Sequence, residues 1–136
     1  MNESSISVAH AFASAISRRD VASLADLMTE NHRFIDSLGN IVEGREKMRA
    51  GWAGYFHMVP DYAIAIDETY EKDAVVVMVG SAQGTYSPDG ALNHDQMMTN
   101  HWQTPAVFRA VIENAKVAEW RVYADNEPIR KLMAKK

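Results

Sequence analysis

Apolar residues at Ile6, Ala9, Phe12, Ala13 and Ile16 recur three and four positions apart, the spacing that gathers side chains on one face of a helix. Ser4 and Ser5 stand before them as capping residues, and Arg18 and Arg19 follow where a helix C-terminus favours cations. Asp20 can cap a second helix, with Val21, Leu24, Ala25 and Met28 as its face, and Glu30-Asn31 release the chain. The period then changes to two. His32, Phe34 and Asp36 alternate with Arg33 and Ile35, which predicts a half-buried strand turned at Gly39-Asn40. A third helix is predicted over 44–58, since Met48, Trp52, Phe56 and Val59 follow one stripe and Pro60 stops it. Gly51 and Gly54 weaken this helix by about 1 kcal/mol each, and close approach to the sheet is the expected reason for them.

From Tyr62 onward the pattern predicts strands at 63–70, 74–86, 102–112 and 116–124, an antiparallel meander. Asp125-Asn126-Glu127-Pro128 begins a short terminal helix carrying Ile129, Leu132 and Met133. Ser87 to His101 reads as one long irregular segment. Helices early and strands late, without strand–helix alternation, indicate an α+β fold. The expected form is a cone-shaped, curved antiparallel sheet with three N-terminal helices on its concave face and a short C-terminal helix.

The 136 residues suit one domain, 1–136, with one core. Hydrophobic residues at 47% and charged residues at 24% are ordinary for a globular protein, which argues against disorder and against a membrane span. Met1-Asn2-Glu3-Ser4-Ser5 lacks the features of a secretory signal and there is no cysteine, so a cytoplasmic location is expected. Fourteen basic against eighteen acidic residues give a charge of -4, which opposes binding to a phosphate backbone. The basic tail, Arg130-Lys131 and Lys135-Lys136, is accounted for by the dipole of a terminal helix.

Asp36 is the one carboxylate set where chemistry could use it. A carboxylate on the inward face of a strand is costly unless a partner or a function maintains it, so it is expected to open into a pocket with its pKa raised by burial. His32 shares that face, which makes Asp36 and His32 the candidate catalytic residues, an acid/base pair without metal or cofactor. Phe12, Phe34, Trp52, Phe56, Phe108 and Trp120 are candidate wall residues for an apolar small-molecule ligand, and each is also a candidate for plain packing. Arg109 alternates with the apolar set Trp102, Ala106, Phe108, Ala110 and Ile112 and is expected to face away from the cavity. Tyr123 and Asp125 close the last strand, the latter more simply as a helix cap. His94, Asp95 and His101 lack zinc spacing, and no glycine-rich phosphate loop or nucleophile motif is present.

The segments Phe12-Ala13-Ser14-Ala15-Ile16, Leu24-Ala25-Asp26-Leu27-Met28, His32-Arg33-Phe34-Ile35-Asp36, Val42-Glu43-Gly44-Arg45 and Val117-Ala118-Glu119-Trp120-Arg121-Val122-Tyr123 together resemble the SnoaL-like branch of the nuclear transport factor 2-like superfamily. The likeness covers nearly the whole chain apart from Ser87 to His101. It implies a homodimer through the outer sheet face, where Val107 and Val111 fall. It places Asp36 where ketosteroid isomerases hold their general base, and Phe12 where they hold a tyrosine. Their second acid corresponds to Ala106 or Val107. Since one lost oxyanion donor costs about 10²–10³ in rate, steroid isomerisation by that arrangement is not expected. Isomerase, cyclase, dehydratase and hydrolase chemistry, or ligand binding alone, remain open at this point, because fold does not fix function.

Overall fold

The computed structural model describes residues 4–134, so the opening 1–3 and the Lys135-Lys136 end of the basic tail lie outside the described residues. The Ser4 hydroxyl accepts the Ser7 backbone N–H at 3.1 Å and caps α1 (Ser5–Ser17). Arg19 turns the chain in the left-handed region at φ 53, and the Asp20 carboxylate accepts the Ser23 N–H at 3.1 Å to cap α2 (Val21–Asp26). Six residues exhaust that helix. Met28, expected on its face, instead opens β1 (Met28–Ile35) and pairs with Val117.

The chain continues through β2 (Ile41–Glu43), α3 (Arg45–Met58), β3 (Ala63–Lys72), β4 (Val75–Thr85), α4 (His94–Thr99), β5 (His101–Glu113), β6 (Lys116–Ala124) and α5 (Glu127–Met133). One curved, unclosed sheet of six strands runs in the order β2-β1-β6-β5-β4-β3, with helices on one side. The antiparallel expectation is met from β3 to β6 and fails at one seam: β1 lies parallel to β6, so the sheet is mixed. Alternation along a strand encodes which face is buried and is silent on the direction of a partner that arrives eighty residues later. β2 is exposed at all three positions, so it carries no burial pattern that could have announced it. The segment 87–101, expected to be irregular, contains α4, whose Asn93 side chain accepts the Gln96 N–H at 2.8 Å. Tyr86 and Asn100 bind it down by paired hydrogen bonds of 3.0 and 3.1 Å.

Val8, Phe12 and Ile16 of α1 sink onto Met78, Phe108 and Trp120 of the sheet, all 0–1% exposed. Burying each large side chain contributes about 2 kcal/mol. Where β3 bulges between Ile66 and Glu68, Gly80 of β4 passes so close that a Cβ there would stand 1.8 Å from the Ala65 carbonyl oxygen. Neither helical glycine shows such an approach. A Cβ on Gly54 would meet nothing within 4 Å and one on Gly51 only the end of Met48, so the expectation of close sheet contact is corrected.

Candidate functional site

α3 crosses the end of the sheet nearest β2 without sealing it, because its apolar stripe is spent on Met48, Trp52 and Phe56 and leaves a hollow beside β1. The cavity holds about 320 Å³. Phe34 from β1, Trp52 and Tyr55 from α3 and Tyr62 beyond it form the aromatic wall. Val42, Met48 and Val122 add aliphatic surface, while Asp36, Ser37 and Asn126 supply polar groups. Phe34 meets Trp52 edge-on at 5.8 Å between ring centroids, and Tyr55 meets Tyr62 edge-on at 5.0 Å. A second cleft of about 360 Å³ against α5 shares Ser37, Tyr55 and Asn126 with it.

Asp36 lies just past the end of β1, at the cavity edge, and is half-buried. Its Oδ1 accepts the backbone N–H groups of Leu38 and Asn40 at 2.9 Å each, and its Oδ2 accepts the Asn40 amide at 3.1 Å. Its own backbone closes the same turn, through N–H to Asn40 O and O from Gly39 N–H. The carboxylate thus builds the β1–β2 turn that positions it. Burial pushes its pKa up, but the hydrogen bonds from Asn40 and Leu38 outweigh burial and hold it below the ordinary carboxylate value. The expected upward shift is corrected: Asp36 stays ionised and is a weak base. No ion pair engages it among the described residues.

His32 faces inward, as the alternation requires, but does not line this cavity. Four residues at the strand rise separate it from Asp36 by about 13 Å, too far for one to orient the other. It is fully enclosed, donates from Nδ1 to the Val117 carbonyl at 2.7 Å, and packs against Phe12. Burial drives its pKa down, with the Val117 carbonyl and the Glu119 charge only partly opposing. This favours the neutral imidazole, whose Nε2 is buried with no partner among the described residues.

The expected wall divides in two. Phe34 and Trp52 stand on it, whereas Phe12, Phe108 and Trp120 pack together deeper in the core, with Trp120 4.7 Å from Phe12 and 5.7 Å from Phe108. Phe56 stacks behind Trp52 at 5.4 Å and does not line the cavity. Arg109 faces outward to the nearly buried Glu119, which also receives Arg33. Asp125 accepts the Glu127 N–H at 2.9 Å at the start of α5. His101 Nδ1 lies 3.1 Å from Thr85 Oγ1, and no group of three or more possible metal ligands gathers among the described residues.

Sequence reading missed Tyr55 and Tyr62. Tyr55 stands seven residues after Met48 and three after Trp52, a helical spacing that was available as a signal. Tyr62 had none beyond being aromatic. Burial raises both phenol pKa values, helped at Tyr55 by the neighbouring Tyr62 charge, so both hydroxyls remain protonated donors. The Ser37 hydroxyl and the Trp52 indole N–H are enclosed and have no partner among the described residues.

The fold is shared with a structure from Shewanella denitrificans described as a SnoaL-like polyketide cyclase, at TM-score 0.77 and 14% identity over 96% of this chain and 98% of that one. An epoxide hydrolase from M. tuberculosis superposes at TM-score 0.75, 14% identity, over 93% and 86%. A cystatin-fold protein from Novosphingobium aromaticivorans does so at 0.68, 22% identity, over 89% and 98%. At these identities the likeness is one of fold. Comparison with curated proteins finds no match. The SnoaL-like domain model matches residues 9–120, from the first helix to the buried Trp120, and the chain belongs to that family.

Proposed function

We propose that this chain is a small-molecule-binding domain that takes an apolar cyclic ligand into the cavity beside Asp36. The observation that carries the reading is the hollow itself: about 320 Å³ lined by Phe34, Trp52, Tyr55 and Tyr62, at the small end of the range typical of ligand sites. Asp36 accepts hydrogen bonds at its rim. The test is a fluorescence titration with bicyclic apolar compounds such as 2-naphthol. Saturable quenching that Trp52→Phe alters and Trp120→Phe does not supports the reading, and the absence of saturation across the panel removes it.

A second reading, a cofactor-independent acid/base enzyme of isomerase, cyclase, dehydratase or hydrolase type, draws on one further observation. An ionised carboxylate and two protonated phenols share the cavity, so Asp36 can accept a proton while a phenol steadies developing negative charge on oxygen. His32 takes no direct part. Loss of turnover with retained binding in Asp36→Asn separates this reading from binding alone.

The remaining proposals are a single domain over 1–136, a cytoplasmic location, and a homodimer through the outer sheet face. Half-buried Val107 and Val111 beside exposed Tyr70 and Tyr123 support that interface. No helix of the described residues is long and apolar enough to cross a membrane.

A further inference from the structure

We propose that the cavity selects a protonated amine carried on an apolar ring, an inference that rests on reading the hollow as a small-molecule site. Among the described residues, Asp36 is the only one lining the cavity that carries a formal charge. Its three hydrogen bonds come from neutral groups, and no ion pair among the described residues answers its negative charge. A carboxylate accepts about four hydrogen bonds, and the Oδ2 that holds only the Asn40 amide has room for one more donor. Arg130, which lines the adjoining cleft, is engaged by Glu127 at 2.9 Å.

The wall agrees with the charge. Phe34, Trp52, Tyr55 and Tyr62 line the hollow, and a cation that settles over the face of one of these rings is attracted where an anion is repelled. A ligand without a donor would cover Asp36 with apolar surface and strip its water without replacing it, and a neutral hydroxyl would replace one hydrogen bond but leave the charge unanswered. An ammonium N–H donor instead pairs with Oδ2 while its ring fills the apolar remainder. The chain's net charge of -4 steers approach in the same sense.

The test uses three probes with one ring: cyclohexylmethylammonium, cyclohexylmethanol and cyclohexanecarboxylate, titrated calorimetrically into the full chain. The ammonium is expected to bind about tenfold tighter than the alcohol, with the carboxylate weakest. Raising salt from about 0.01 M to about 1 M shortens the screening length from roughly 30 to 3 Å and should narrow that gap while leaving the alcohol unchanged. Asp36→Asn, which keeps an acceptor for the turn, should abolish the gap. An alcohol that binds as tightly as the ammonium overturns the cation inference and leaves the cavity reading standing. So does a gap that survives Asp36→Asn, or, if that variant fails to fold, a gap indifferent to salt in the natural chain. Failure of all three probes to bind overturns both.

Discussion

At the inner end of the sheet Phe12, Phe108 and Trp120 close upon one another until nothing of them is more than 1% exposed; at the open end Phe34, Trp52, Tyr55 and Tyr62 line about 320 Å³ of space. β1 and the turn that follows it supply the polar groups of the two regions. Inside, His32 is kept neutral and gives one ring nitrogen to the Val117 carbonyl, since a charge there would have no water to answer it. Four residues on, Asp36 keeps its charge because its own turn provides three donors and it stays partly exposed at the cavity edge. Closure therefore decides which ionisation state each of these two groups can hold. The filled end contributes stability and the hollow end is left for a ligand.

Truncating each end should break the molecule differently. Trp120→Ala removes a fully enclosed ring wedged between Phe12 and Phe108 and is expected to cost about 4 kcal/mol. Trp52→Ala removes a ring that already borders empty space, so the cost should be smaller and ligand binding should suffer most. Urea unfolding of the two variants measures the difference, and equal losses would erase the distinction between filled and hollow ends.

Much of the fold was legible because helix and strand periods are strong signals where one face is buried. α1, α3 and the β3 to β6 meander follow from Phe12, Trp52 and Phe108 repeating at their proper spacing. The parallel seam was not legible, since Phe34 opposite Trp120 is set by long-range docking and leaves no mark on local alternation. The site was half legible. Alternation put His32, Phe34 and Asp36 on one face, yet how deep along that face the core ends depends on where α3 crosses, and so Phe34 lines the hollow while Phe12 and Trp120 fill the interior. The depressed Asp36 pKa was hidden for a different reason: it arises from the backbone N–H and side-chain amide of Asn40 and the backbone N–H of Leu38, whose aim is set by the turn geometry.

The two polar groups should also separate by pH. His32 has a folded pKa below its ordinary 6.5, so the unfolded chain binds the extra proton between those values, and its contribution is full above 6.5 and lost as pH falls through the window beneath. Asp36, lowered from 3.8, favours the fold above 3.8 and ceases to as pH falls through its own folded value. Melting temperature should therefore decline in two steps on acidification. In His32→Phe the upper step should disappear and the lower one persist. A single step near pH 4 in the natural chain would mean that His32 is charged inside the core.

The smallest change in stability should accompany the sharpest change in binding. Gly51 sits on the cavity side of α3, and a Cβ added there meets only the end of Met48, at 3.7 Å from its sulfur, an ordinary contact. Gly51→Leu replaces a poor helix former with a good one, so thermal stability should hold or rise by up to about 1 kcal/mol. The new side chain would extend beside Met48 into the hollow and take up space a ligand needs. Titration of the variant with the ring-bearing probes should show affinity falling about tenfold or more while the melting temperature does not drop, because no buried group has been removed. Undiminished affinity in a folded Gly51→Leu would place the ligand elsewhere than between α3 and β1, and the open end of the sheet would then be a packing defect of the core rather than its counterpart.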